Sequence, residues 1–310
     1  MATQTLAEAK KLINDDMVQG VVEDIISINP IYALLPFADY TGQAILVNRE
    51  DALGDAAFYG IDATITAKNP ASFAQATFSA TKLIGDVEID KLVQATSSSA
   101  GVDQLSIEVS SKAKQIGRMF QKGMVTGTGT MPDMNSLHTL CDPEQYVGAS
   151  TGQAISFALL DELLDKVKSK DGQVDFIMMS PRTFRSYKTL LRQLGGTPAD
   201  WVVTLPDGRQ TISYENTPIF KNEFMPDTET ANGAALTGGD LTSVYAGCFD
   251  DGTRRVGISG IYPAGTPAGI AVEPIGTSES KDQAVVRVKQ YTNLAIFNRR
   301  GLARLTSINN

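Results

Sequence analysis

Apolar residues recur at two different periods along the chain, and the switches between those periods lay out its elements. In residues 1–35, Leu12, Ile13, Met17, Val21, Val22, Ile25 and Ile26 follow a helical period up to Asn29-Pro30. That stripe is too thin to fold alone and needs a neighbour to lie on. Strand-like segments then cover 43–47 and 76–89, separated by a glycine- and alanine-rich excursion through 51–74. In the second segment Phe78, Ala80, Leu83, Val87 and Ile89 alternate in part, as in a half-buried ribbon. Two long strands with little core of their own are marginal in isolation. They read as an arm built to reach another molecule.

Ser97-Ser98-Ser99 reads as a helix-capping cluster. Val102, Leu105, Val109, Ile116, Phe120 and Met124 follow, mostly three or four apart. The spacing predicts a helix of roughly 24 residues, about 36 Å long, with one apolar face that packs on a sheet. Residues 153–250 read as an α/β unit. Leu160, Leu163, Leu164 and Val167 mark a helix ending at Asp171-Gly172, and 175–179 a short buried strand. Ser180-Pro181 opens a second helix, serine as cap and proline at the first helical position, which ends at Gly195-Gly196. From residue 210 strands dominate, at 210–214, 219–220, 243–249, 256–261 and 270–272, around a loop at 226–240 with no periodicity. A long closing strand, 284–297, sets Val286 and Val288 on one face and Arg287 and Lys289 on the other.

Composition narrows the function classes. The chain has 310 residues, 42% hydrophobic and 20% charged, which is ordinary for a folded protein with one large or two modest cores. No apolar run approaches the roughly 18 residues of a membrane span, and residues 1–9 lack the blocks of a signal peptide, so synthesis in a cytoplasm is expected. Two distant cysteines, Cys141 and Cys248, make no disulfide framework. The net charge of −8 argues against a dedicated nucleic-acid binder. Its distribution is uneven: residues 1–55 hold nine acids and three bases, whereas 281–310 hold six bases and one acid. Such polarity favours head-to-tail contact between copies, or else marks two differently solvated surfaces.

Catalytic vocabulary is sparse. His138 is the single histidine, and His138-x-x-Cys141-Asp142 is the one cluster with plausible chemistry. A thiol nucleophile needs a base and an orienting group, and a structural zinc site needs four ligands. Loop residues in a turn are the simpler reading, and the neighbouring pairs Asp15-Asp16 and Asp250-Asp251 support no acid–base assignment. Neither an enzyme activity nor a cofactor is expected. The stretch Gly127-Thr128-Gly129-Thr130 comes after a helix rather than before one, and no lysine follows. It is therefore a helix stop and chain reversal built on Gly127 and Gly129, not a phosphate-binding loop. Arg182, Arg185, Lys188 and Arg192 form a basic stripe at spacings of three, three and four. It suits a phosphate backbone, an acidic neighbour or a solvated helix face.

Three segments and the chain's end then line up, in order, with one family. Thr77-Phe78-Ser79-Ala80-Thr81-Lys82 leading to Leu92-Val93 resembles the outgoing strand of the extension loop in tailed double-stranded-DNA phage major capsid proteins, the Hong Kong ninety-seven type. The long helix ending in Gly127-Thr128-Gly129-Thr130, with Asn135-Ser136-Leu137 behind it, resembles their spine helix and its Gly-x-Gly-Thr turn. Asp175-Phe176-Ile177-Met178-Met179-Ser180-Pro181-Arg182 resembles the strand–proline–helix step that opens their axial domain. Residues 285–297 are similar to the closing strand of their peripheral domain.

The resemblance implies an α+β capsid fold with an N-terminal arm (1–35), an extension loop (36–92), a peripheral domain (93–150 and 251–310, spine helix about 99–125) and an axial domain (151–250). It implies self-assembly through pentamers and hexamers into an icosahedral shell enclosing double-stranded DNA, made in a bacterial host's cytoplasm and carried in the virion. Expected partners are further copies of the chain, a portal, a scaffolding protein, a decoration protein, and DNA by weak non-specific contact. Roughly 35 residues precede the extension loop, so scaffolding is expected to be a separate protein or unnecessary. Some members cross-link a lysine to an asparagine; Lys68 lies near the expected loop tip, but nothing identifies an acceptor. An encapsulin-type compartment enclosing an enzyme cargo is the alternative on the same fold.

Overall fold

The computed structural model describes residues 31–99, 104–149, 151–168, 173–194, 202–204, 210–278 and 280–309. The apolar stripe of residues 12–26, the pair Asp15-Asp16, Val102, Asp171-Gly172 and Gly195-Gly196 lie outside them. A short helix α1 (Ile31–Leu34) leads into β1 (Phe37–Tyr40), then β2 (Ile45–Ala52), β3 (Ser72–Phe78) and β4 (Thr81–Asp90). Two helices follow, α2 (Lys91–Ser99) and the long α3 (Gln104–Thr126), then α4 (Leu137–Leu140) and β5 (Tyr146–Val147). An α/β stretch holds α5 (Phe157–Lys168), β6 (Phe176–Met179), α6 (Pro181–Leu194), β7 (Val202–Thr204), β8 (Gln210–Tyr214) and β9 (Thr217–Lys221). It is closed by β10 (Thr242–Gly247), β11 (Ile258–Pro263), β12 (Ala271–Thr277), β13 (Gln283–Ile296) and β14 (Leu302–Ile308).

Strand β13 organises the first sheet. Along one side it pairs antiparallel with all of β4, from Gln283↔Asp90 to Thr292↔Thr81. Strand β12 pairs antiparallel with the 284–289 stretch of β13 and β11 with its 293–296 stretch, and β1 adds parallel to β11. Alternation fixes the buried face: Val286, Val288, Gln290 and Thr292 are buried, as are Val87 and Ile89 opposite. Helix α3 lies against this sheet through Ile116, Phe120 and Met124, whose spacing of four keeps them on one face. The Lys112 side chain of the helix lies over Gly85, where a Cβ would sit 2.8 Å from its Cδ.

The second sheet runs β5-β14-β10-β6-β9-β8-β7 and is covered on both faces. Successive residues of its central strands enter opposite cores. Phe176, Met178, Tyr245 and Leu302 join the core that holds α3 and the first sheet. Ile177, Met179, Val244, Ala246, Ala303 and Leu305 face the core under α5 and α6. This explains why β6 reads as a continuous apolar run rather than an alternation. Truncating a fully buried phenylalanine such as Phe176 costs about 3–5 kcal/mol.

Two expectations need correction. Ser97-Ser98-Ser99 does not cap the long helix; the three serines close the separate helix α2, and the long helix starts at Gln104. Residues 76–89 are not one strand. Strand β3 pairs with β2 alone in a two-stranded ribbon, whereas β4 pairs with β13 in the body, and the change of partner falls at Ser79-Ala80.

Candidate assembly surfaces

The ribbon β2–β3 is held by local hydrogen bonds rather than by a core. Its register runs from Ile45↔Phe78 at the root to Ala52↔Ser72. Only the root is packed, through Ile45, Val47, Ala76 and Phe78. Beyond it the tip is tied by Asp55 N–H donating to the Asn69 carbonyl at 3.0 Å. The amides of Thr66 and Ala67 donate to the Tyr59 hydroxyl at 2.8 and 2.6 Å. Those donors, with the Thr66 side chain first, hold the Tyr59 phenol below its usual range. Large apolar side chains nevertheless face water along its length: Leu53 at 77%, Phe58 at 108%, Ile61 at 99% and Phe73 at 73% exposure. Large apolar side chains left this exposed are unusual enough to make the segment a candidate contact surface.

The root is gripped by arginines. Arg49 on β2 donates through Nε to the Phe297 carbonyl at 3.1 Å, and through Nη2 to that of Ile296. Its guanidinium also lies 5.7 Å from the Phe78 ring centre. Arg299, just past β13, pairs with Asp51 of the ribbon and with Asp142.

The basic stripe divides on α6. Ser180 accepts from the Thr183 amide at 3.3 Å and starts the helix, with Pro181 at its first position. Arg182 turns inward: it pairs with Asp240 at 3.3 Å and Asp227 at 3.6 Å, and donates to the carbonyls of Asp240 and Ile308. Lys188 lies over the Phe184 ring at 4.8 Å. Arg185 and Arg192 are exposed, with no ion pair among the described residues. Three of the four cations are thus presented on one helix face, and Arg182 serves the fold.

At the end of α3 the chain reverses. The Gly127 amide still bonds back to the Gly123 carbonyl at 2.9 Å, and Ser136 Oγ donates to the Gly127 carbonyl at 2.6 Å. A Cβ at Gly127 would press on the carbonyl of Met134. Gly129 sits at φ +72°, where L side chains are strained. Behind the turn Ser136 and Thr139 cap α4 reciprocally.

No hydrogen bond joins His138 to Cys141 among the described residues. Burial pushes the Cys141 thiol up to about 12, against the pull of Arg304, so it stays protonated. Burial, and secondarily Arg304, push His138 down to about 4. Among the described residues Cys141 Sγ donates to the carbonyls of Asp142 and Leu302, each at 3.8 Å.

One charged constellation escapes sequence reading. Arg304 of β14 and Glu229 of the loop 226–240 form an ion pair at 2.9 Å, with 0% and 1% side-chain exposure. Arg304 Nε also donates to Ser243 Oγ at 2.9 Å, and Ser243 donates to Glu229. The guanidinium lies between the rings of Tyr146 and Tyr245, 5.4 and 5.5 Å from their centres. In the sequence Arg304 is one base among six near the end, with nothing to mark it as buried.

No protein-family model and no curated protein matches the chain. The arrangement itself, a projecting ribbon, a long helix laid on an antiparallel sheet and an α/β layer, defines a capsid-type α+β fold. Solved structures share it over nearly the whole chain. The encapsulin in the holo-SrpI complex of Synechococcus elongatus is similar at 18% identity and TM-score 0.72, over 99% of this chain and 96% of that one. The capsid of a native GTA particle is similar at 12% identity and TM-score 0.66, covering 99% of each chain. Mycobacterium phage Bobi contributes a match at 14% identity and TM-score 0.64, covering 98% of each. The chain therefore has the tailed-phage capsid fold.

Proposed function

We propose that the chain is a major capsid protein that assembles through pentamers and hexamers into an icosahedral shell around double-stranded DNA. The observation that carries this reading is the ribbon: a projection with exposed Leu53, Phe58, Ile61 and Phe73 and no core of its own beyond the root. It gains burial only against another molecule, and a heterologous contact of this kind closes into rings. The capsid fold over 98–99% of this chain supports the same reading. Within it we assign residues 1–35 to an arm, 36–92 to the extension loop, 93–150 and 251–310 to the peripheral domain, and 151–250 to the axial domain. The axial helix α6 offers Arg185, Lys188 and Arg192 to a neighbour's acids or to packaged DNA. Portal, scaffolding and decoration proteins are the further partners this reading implies, with the shell as part of a virion made in a host cytoplasm.

A second reading rests on the likeness to an encapsulin at TM-score 0.72: the same shell built around an enzyme cargo. Contents decide between them. Particles from the native source are treated with nuclease and then opened. Protected double-stranded DNA of uniform length supports the capsid reading. A stoichiometric second protein without DNA supports the compartment and overturns the DNA-enclosing one.

A further inference from the structure

The aperiodic loop 226–240 carries the single Asn-Gly step of the chain, Asn232-Gly233. Asparagine followed by glycine is the pair most prone to spontaneous deamidation, because no side chain shields the next backbone nitrogen. The Gly233 nitrogen, losing its proton to hydroxide, attacks Cγ of Asn232. The bond from Cγ to the side-chain nitrogen breaks, and ammonia leaves. Water then opens the cyclic imide at either carbonyl to give aspartate or isoaspartate. The reaction needs a free Gly233 nitrogen and a backbone that can turn it towards the side chain.

The fold blocks both. Asn232 sits in the left-handed region at φ 57° and ψ 12°, and the ring cannot close without rotating ψ far from this value. The Gly233 amide donates to the Thr230 carbonyl at 2.9 Å, and the Asn232 amide to Ser307 Oγ at 2.9 Å. Gly233 is buried, and a Cβ on it would fall on the Arg304 guanidinium, whose Nη1 donates to the Gly233 carbonyl at 3.5 Å. Two residues of β14, Arg304 and Ser307, therefore pin the turn, and Glu229 fixes the first of them. Asn232 itself is exposed, so water and hydroxide reach it.

We infer that Asn232-Gly233 is a spontaneous deamidation site that these two β14 residues keep closed, so that the reaction follows local opening of the loop rather than unfolding of the whole chain. The inference stands apart from the shell-forming reading. A chain whose loop and last strand have come apart acquires a carboxylate at residue 232. Isoaspartate also adds a methylene to the main chain of a tightly hydrogen-bonded turn, which hinders reclosing.

The test is peptide mapping by mass spectrometry of the full chain, held at mildly alkaline pH with and without urea. It reads conversion of Asn232 to aspartate and isoaspartate. The folded wild type should react at least about tenfold more slowly than the urea-unfolded chain. Arg304→Met with Glu229→Leu removes the guanidinium without stranding a charge, and Ser307→Ala removes the acceptor for the Asn232 amide. Each should speed the reaction of the folded chain several-fold. Ser307→Ala, which keeps the ion pair, carries the test if the double variant fails to fold. Val288→Ala, a truncation in the core of the first sheet, should leave the rate unchanged. Equal rates with and without urea overturn the protection. If neither β14 change speeds the reaction, or Val288→Ala speeds it as much as they do, the local gate is overturned.

Discussion

Arg304 Nη2 lies 2.9 Å from Glu229 Oε2, and neither side chain touches solvent. This pair ties the last strand to the aperiodic loop 226–240, with Ser243 bonded to both partners. Gly233 is forced by it: at φ +61° a Cβ would fall on the Arg304 guanidinium. Removing one partner of a buried pair leaves the other charge stranded, which costs about 3–5 kcal/mol. Arg304→Ala and Glu229→Ala should each lower stability in urea by about that amount, while Arg304→Met with Glu229→Leu should cost less than either. Equal losses in all three would mean that packing rather than charge sets the cost.

The two glycines after α3 should differ in what they tolerate. Gly129→Ala meets backbone strain and should cost about 1 kcal/mol. Gly127→Ala also drives a methyl against the Met134 carbonyl, a backbone atom that cannot step aside, and overpacking of that kind costs about 1–3 kcal/mol. Thermal unfolding should rank Gly127→Ala below Gly129→Ala.

The single histidine gives one imidazole titration to follow. Its folded value of about 4 lies below the unfolded value of roughly 6.5. An unfolded chain therefore takes up this proton more readily, so His138 lowers stability as pH falls from about 6.5 towards 4. His138→Gln should flatten the stability profile in that window. The imidazole resonances of the wild type should show no titration above about pH 5.

On α6 the stripe should split by role. Arg182→Ala removes ion pairs to Asp227 and Asp240 and should lower the thermal midpoint. Arg185→Glu with Lys188→Glu should change stability by no more than about 0.5 kcal/mol, as surface changes do, yet impair assembly or DNA retention. Unchanged assembly and retention would reduce the exposed cations to a solvated face.

How far the fold is legible depends on whether burial is one-sided. Helix α3 and strand β13 each present one wet face, so Ile116, Phe120 and Met124, or Val286 and Val288, stand out by period. Strand β14 is buried at all seven positions, and Arg304, Thr306 and Ser307 within it mimic a polar loop, so no alternation betrays it. The break at Ser79-Ala80 is silent for another reason: both strands are extended, and only their partners differ. Serines close helices as well as open them, hence the misplaced start of α3. The ribbon's lack of a core is legible in the strand pattern, whereas the Arg304–Glu229 pair joins residues 75 apart and has no signature in sequence spacing.

The most direct test of self-assembly is electron microscopy with sedimentation velocity on the wild type and on Phe58→Asp with Ile61→Asp. Both side chains are fully exposed, so the monomer should fold equally well. The wild type should form closed shells or five- and six-fold rings, and the variant should remain a folded monomer. A wild type that stays a folded monomer under all conditions, or a variant that assembles as readily, would contradict the ribbon as the element that joins copies.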